Sequence, residues 1–489
     1  MSINLLSKDL EKNIDMISAE VPENYNFIKR KLVLKGEVRC SILYLSGIAK
    51  RDEIEERIIE PLLFQIDCDI KKLSSPASYL SERYIIISST ELSSNINYIS
   101  EMIKGGNTVV LLENEDTAII CSTYRSNFKK AADSKIEETI RGEKSAFVEV
   151  MGINISLLQE KLKNKNFKIE KFVLGEENKS EAALIYMDNI IDKEILNKLR
   201  KQIEGIKTSY LPDTGYLAQF IDKKPFSIFP QSKTTEKPDK VVSDLLQGKA
   251  ALLLNGCSYV VVFPVVFIEF FQGFEDYSNR FLLSSFDRIL RLMAVLLILT
   301  LSPIYLVLLK YNIYLIPLDL IKIIVMSRKD IPLPPFLEIL LMEIIIEFLR
   351  EGGLRLPSVV GQTLSIVGGI ILGSAAIEAG IVSPTTLVVV SITVISTFLI
   401  PNYEMSLSIR LLRFYILILA QIFGFLGVII GLFSITAHLM KLESIGIPYF
   451  SPFAPMRHRD LKDSFIRFPL KYINRIPVSF RKRRVKNKK

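Results

Sequence analysis

The sequence predicts an α/β cytosolic domain made of two duplicated modules, followed by a multi-pass α-helical membrane domain. Three observations predict it. Residues 1–290 are charged and mixed in the manner of a water-soluble protein, whereas long apolar runs follow them. Two separated blocks of the first half match two later blocks at one offset of 142 residues. The last stretch, 441–489, carries 14 Lys/Arg against 3 Asp/Glu.

In the opening N-terminal segment, 1–34, the start MSINLLSKDLEKNIDM is polar and lacks an apolar core, so no signal peptide is expected and the amino end should stay in the cytosol. The first module is read at 35–128 and the second at 179–276. SILYLSGI (Ser41–Ile48) aligns with ALIYMDNI (Ala183–Ile190), and GNTVVLLENEDTAIIC (Gly106–Cys121) aligns with GKAALLLNGCSYVVVF (Gly248–Phe263). Each copy reads as a strand, a helix, a variable segment, a second helix and a β-hairpin. The first helices are expected at Asp52–Phe64 and Lys193–Ile206. The connector, 129–178, is expected to be helical over Lys129–Lys165, broken near Gly142. Lys223–Asp239 reads as a Pro- and Lys-rich loop. Ala250–Phe271 is apolar enough to suggest a span, but it aligns with the soluble hairpin and contains Asn255, Pro264 and Glu269.

The membrane domain is read at 277–440, with spans at about 292–309, 359–382, 385–400 and 414–439, the third short and ended by Pro401 and the last the longest. Pro303 inside the first is tolerable because neighbouring helices can satisfy the freed carbonyl. Four crossings would return the chain to its starting side and put the basic tail, 441–489, in the cytosol, as the positive-inside rule requires. Tyr311–Met326 is too polar and broken to cross alone. Phe336–Arg350 should end at Gly352-Gly353 and lie at the interface or re-enter. Its Glu343, Glu347 and Glu351 recur every four residues. At membrane depth they would mark an aqueous path, with Glu343 and Glu347 as acidic pore-mouth candidates; at the interface they would face water. Ser365, Gly369, Gly373, Ala376 and Gly380 share one face of the second span, with Gln362 one turn earlier. Small residues permit close helix packing. They also suit a pore wall, for which Gln362, Ser365, Gly369, Leu372, Gly373 and Ala376 are the candidates, Leu372 serving as a gate that closes by dewetting.

Composition excludes much else. His438 and His458 are the only histidines, and Cys40, Cys68, Cys121 and Cys257 show no CxxC spacing. No metal site, cofactor site or catalytic set can be built from them, and no Gly-rich phosphate loop precedes a helix in either module. An enzyme is therefore not expected. The net charge of +9 belongs to the tail, which suits anionic membrane lipid and requires no nucleic acid.

Several runs resemble the A-subunit family of GerA-type spore germination receptors of endospore-forming bacteria. They include IRG with AFVE (Ile140–Gly142, Ala146–Glu149), KPDKVVSDLLQGKAALLLNG (Lys237–Gly256), EDY (Glu275–Tyr277), Leu354–Pro384, Thr397–Phe414 and SIGIPYFSPFAP (Ser444–Pro455). Glu143 stands where the family usually has proline. Within these motifs Gly142, Asp276, Tyr277, Pro357, Pro401 and Pro448 are the structural positions the resemblance implies. It also implies a protein of the spore inner membrane, so that both ends, placed in the cytosol by the even span count and the basic tail, would lie on the core side. Its implied partners are a transporter-like B subunit and a lipoprotein C subunit. The A subunit itself is implied to be a homo-oligomer, a pentamer by analogy, that conducts monovalent cations once nutrient binds. A secondary-transporter component and a membrane-anchored signalling scaffold are the alternative classes.

Overall fold

The computed structural model describes residues 5–22, 26–73, 75–124, 132–133, 137, 144–273, 275–356, 368–369, 371–473 and 480. The chain divides into two compact units. One comprises 1–225, 232–264 and 476–489, the other 226–231 and 265–475.

The first unit opens with α1 (Leu10–Glu20), capped by Asp9, whose carboxylate accepts from the amides of Glu11 and Lys12. There follow β1 (Phe27–Leu34), β2 (Val38–Leu45), α2 (Arg51–Ile54, prolonged by π-helical turns to Gln65), α3 (Pro76–Arg83), β3 (Thr90–Ser93), α4 (Ile96–Lys104), β4 (Thr108–Leu112) and β5 (Ala118–Cys121). The sheet runs β1-β2-β4-β5-β3 with antiparallel neighbours. Cys40, Ile42, Val110 and Ile119 pack on α2 and α3, whereas Leu43, Val109, Leu111 and Ile120 pack on α1 and α4. Helices on both faces explain why β4 and β5 are buried throughout and apolar but for Thr108. Burial pushes the Cys40 and Cys121 thiols up to about 12.

The chain then forms α5 (Met151–Lys161), β6 (Phe167–Leu174), β7 (Ser180–Met187), α6 (Lys193–Glu204), α7 (Thr214–Ile221), β8 (Lys233–Thr235), α8 (Pro238–Leu246), β9 (Ala250–Leu254) and β10 (Val260–Phe263). This sheet runs β6-β7-β9-β10-β8, the same order as the first. Cys40 opposes Leu112 and Ala182 opposes Leu254; Val109 opposes Ile120 and Ala251 opposes Val262. The turns before β4 and β9 both need a left-handed glycine, Gly106 at φ 91° and Gly248 at φ 94°. A β-carbon on Gly106 would lie 2.9 Å from the Ile48 carbonyl oxygen, and one on Gly248 3.5 Å from that of Ile190. Asn13 binds the Ser7 backbone at 2.8 and 2.6 Å, and Asn154 binds that of Val148 at the same two distances.

Three expectations are corrected here. β1 and α1, set apart in the segment 1–34, belong to the first sheet and its helical cover. β6, assigned to the connector, is an edge strand of the second sheet, and the described part of 129–165 is helical only at α5. The loop expected over 223–239 contains β8 and the start of α8. Gly142 lies outside the described residues.

The second unit contains α9 (Glu275–Ser278), α10 (Phe281–Lys310), α11 (Leu318–Arg328), α12 (Pro335–Arg355), α13 (371–378), α14 (Pro384–Thr397), α15 (Tyr403–Phe423) and α16 (Phe425–Lys441). Among the described residues α10 and α15 are long and apolar enough to cross a membrane. At 30 residues α10 is about 45 Å long. It packs against α14 and α15, and α12 packs against α10 and α14.

The expected span over 414–439 is not one helix. Gly424, at φ 59° and ψ −136°, ends α15 and starts α16. The two helices fold back as a hairpin: the Tyr415 and Ser434 hydroxyls are 3.0 Å apart. Gly427 and Gly431 permit the close approach, since a β-carbon on Gly427 would lie 2.0 Å from the Leu419 carbonyl oxygen. The even count of four crossings thus loses its basis. The short helix expected at 336–350 also runs on through Gly352 and Gly353 to Arg355, its last turn supported by the Arg355–Glu351 pair. Of the expected span 359–382, residues 359–367 and 370 lie outside the described residues, and 371–378 form α13.

Candidate functional site in the helical unit

α12 carries Glu343 and Glu347 one turn apart, and α15 carries Arg410 and Arg413 three residues apart, so each pair shares a helix face. The structure brings the two faces together. Arg413 Nε lies 3.3 Å from Glu343 Oε2, and both side chains are fully buried. Arg413 Nη2 donates to Glu347 Oε1 at 3.1 Å, and Arg410 Nε donates to the same oxygen at 3.2 Å. Glu343 and Glu347 therefore meet arginines, instead of facing water or an open ring. Arg413 Nη1 and both Glu343 oxygens make no hydrogen bond among the described residues. Buried charge of this kind is costly unless paired, and a pair does not recover its whole desolvation cost.

A second buried carboxylate fixes the α14 terminus. Glu338, fully buried on α12, accepts from the Ser383 amide at 2.7 Å and its hydroxyl at 2.6 Å, and it pairs with Arg328 of α11. Ser383 in turn caps α14 through the Thr386 amide.

A cavity of about 580 Å³ lies between α12, α13 and α14. Its wall is apolar, with Ile346 and Leu349 on one side and Leu387 and Val394 on another, and Arg350 is its charged member. Gly369, Leu372 and Gly373 line it too, so three of the pore-wall candidates share one space. Their surroundings differ. A β-carbon on Gly369 would meet none of the described residues within 4 Å; one on Gly373 would touch Leu387 at 3.6 Å. Leu372 is 42% exposed and Ala376 is half-buried near the end of α13. Gly373 is thus a packing position. Glu343 and Glu347 are absent from this wall and face α15. Gln362, Ser365 and Pro357 lie outside the described residues.

Asp276 and Tyr277 centre a third cluster, at the start of α10. Asp276, 1% exposed, accepts from Arg288 Nε at 3.0 Å and Arg291 Nη1 at 2.8 Å. The Tyr277 hydroxyl donates to Asp463 at 2.8 Å, and Arg288 reaches the same carboxylate at 2.8 Å. The guanidinium groups of Arg288 and Arg467 each stand 5.5 Å from the Tyr277 ring centre. Burial and the neighbouring Asp463 carboxylate push the Tyr277 hydroxyl well above its ordinary range. The cluster holds the segment carrying Asp463 and Arg467 against α10. Pro401 is exposed between α14 and α15, and Pro448 pairs with Glu443 in a two-stranded hairpin.

Sequence reading missed Glu338, Arg350, Arg410, Arg413, Arg288 and Asp463. A signal existed for Arg410 and Arg413: two arginines on one face of an apolar helix call for carboxylates elsewhere in the bundle.

An α/β unit joined to apolar helices that bury charged pairs fits a membrane protein with a large soluble domain. The sequence profile of the Bacillus/Clostridium GerA spore germination proteins matches residues 15–479, and the chain belongs to that family. It is 33% identical over 467 residues to spore germination protein KA of Bacillus subtilis (strain 168), covering 95% of this chain and 85% of that one. It is 31% identical over 466 residues to spore germination protein GerLA of Bacillus cereus, covering 94% of each. Membrane protein YfkQ of Bacillus subtilis (strain 168) is 32% identical over 475 residues, covering 97% of this chain and 92% of that one. The crystallised N-terminal domain of the A subunit of the Bacillus megaterium spore germinant receptor GerK3 aligns at 20% identity and a TM-score of 0.42, over 55% of this chain and 99% of that one.

Proposed function

We propose that the chain is the A subunit of a nutrient germinant receptor in the spore inner membrane, working with a transporter-like B subunit and a lipoprotein C subunit. The observation that carries this reading is the family match over 15–479, which takes in both compact units. We further propose that the subunit oligomerises and conducts monovalent cations when nutrient binds. Charged side chains held among apolar helices, Glu343, Glu347, Arg410 and Arg413, support a transport role, because intramembrane ionisable groups are costly and are kept for ion pathways and gates. Leu372, 42% exposed on α13, is the favoured pore-wall position and its constriction.

The two sheets of the first unit are proposed to be copies of one module that assembles the oligomer. Shared strand order and matched registers support the copying. Both chain ends are proposed to lie on the core side, now on the strength of the basic tail alone. The testing experiment is reconstitution of the purified subunit into liposomes with and without its B and C partners. Cation flux that needs the A subunit supports the reading; coupled solute uptake or no flux opposes it.

A further inference from the structure

Three features of the cavity between α12, α13 and α14, which Leu372 also borders, point to an occupant other than a passing ion. It is apolar, and at about 580 Å³ it falls within the range of about 300–1,000 Å³ typical of ligand sites. It borders exposed apolar side chains: Ile395 is 61% exposed, Phe398 74% and Leu354 61%. One cation stands in its wall. Arg350 Nη2 donates to the Thr397 hydroxyl at 2.7 Å, and its guanidinium lies 4.9 Å from the Phe398 ring centre. Glu343 and Glu347 are already engaged by Arg413 and Arg410. Arg350 forms no ion pair among the described residues, and the surrounding cluster has three arginines for two carboxylates.

We propose that this cavity binds an anionic phospholipid of the bilayer, its phosphate on Arg350 and an acyl chain in the apolar space beside Gly369. Charge complementarity selects an anionic head, because a guanidinium without a carboxylate is costly among apolar helices and pairs bidentately with phosphate. The exposed apolar rim selects the bilayer as the source, since a chain can enter laterally from lipid. Gly369 makes the room: a β-carbon there meets none of the described residues within 4 Å, so a larger side chain would occupy the acyl chain's place. The proposal goes beyond the receptor role and rests on the second unit being embedded in lipid.

The full chain, purified in mild detergent, is tested with phosphatidylglycerol and phosphatidylcholine carrying the same acyl-chain diazirine. Cross-linked peptides are then mapped. Phosphatidylglycerol should label α12 and α14 about tenfold more than phosphatidylcholine, whose phosphate charge is cancelled by its choline ammonium. Arg350→Gln should abolish that preference and Arg350→Lys should retain most of it. Gly369→Leu should reduce labelling by both lipids, and it serves as the test if Arg350→Gln does not accumulate. Equal labelling by the two lipids, or labelling unchanged in both Arg350→Gln and Gly369→Leu, would overturn the proposal. So would absent labelling with Ile395→Cys cross-linking between copies, which would make the rim a subunit interface. Carbonate extraction of membranes separates the failures. A chain released by carbonate refutes the membrane reading itself, whereas an extraction-resistant chain without cavity adducts refutes the lipid site alone.

Discussion

The Arg413 guanidinium on α15 and the Glu343 carboxylate on α12 are both fully buried and stand 3.3 Å apart. Neither faces solvent, and each answers the other's charge. Removing Arg413 strands Glu343, at a cost of about 3–5 kcal/mol, while replacing both by apolar groups is far milder. Removing Glu343 leaves Arg413 its contact with Glu347. Arg413→Met should lower membrane accumulation and thermal stability sharply, Glu343→Met less so, and the double substitution should recover most of the loss of Arg413→Met. Single variants as stable as the parent would show that the pair is not held in the dry interior described.

The Tyr277 hydroxyl holds Asp463 while two guanidinium groups, of Arg288 and Arg467, each stand 5.5 Å from its ring centre. Tyr277→Phe keeps the ring and removes the hydrogen bond, a loss of about 1 kcal/mol. Asp276→Asn weakens the hold on both Arg288 and Arg291 and should cost more. Limited proteolysis around residues 456–467 reads the effect, with cleavage rising slightly in the first variant and strongly in the second. Equal resistance in both would contradict the clamp.

Gly106 and Gly248 occupy matching turns with unequal room. Both need positive φ, so alanine is strained at each, but at Gly106 it also drives into the Ile48 carbonyl at 2.9 Å. In a fragment of residues 1–276, which carries both sheets and should fold without lipid, Gly106→Ala should destabilise more than Gly248→Ala. Denaturant unfolding gives the order, and the reverse order would count against the two turns being as described.

Acid should loosen the second sheet. Asp244 is buried with Lys249 Nζ at 2.7 Å and Lys233 Nζ at 3.1 Å. Burial opposes its charge, but the two lysines prevail and hold the carboxyl below its ordinary range. A lowered folded-state value means that the unfolded chain takes up the proton first. The contribution is therefore complete above about pH 4 and is lost as pH falls through the folded value. Asp244→Asn should flatten the stability of the 1–276 fragment across that range; an unchanged acid dependence would remove Asp244 from the account.

Family membership was legible because long motif runs survive in order, and the α/β character of the first half was legible because short apolar strands alternate with amphipathic helices. The break at Gly424 was not. The residues on both sides of it are apolar, so a straight span and a hairpin present the same hydropathy, and only backbone geometry separates them. Gly352-Gly353 misled in the opposite sense: glycine weakens a helix without ending it when packing and a pair such as Glu351–Arg355 support the turn. The roles of Glu343 and Asp276 were hidden for another reason. Their partners lie far along the chain, and a carboxylate in one helix does not announce which arginine meets it.

Leu372 gives the most direct test of the proposed conduction role. Potassium efflux from liposomes holding the purified subunit should be low at rest, because a leucine constriction closes by excluding water. Leu372→Ser should raise resting efflux about tenfold with assembly and accumulation unchanged. Normal resting efflux from a stably assembled Leu372→Ser protein, or loss of assembly together with loss of activity, would contradict a gate at this position and return α13 to a packing role.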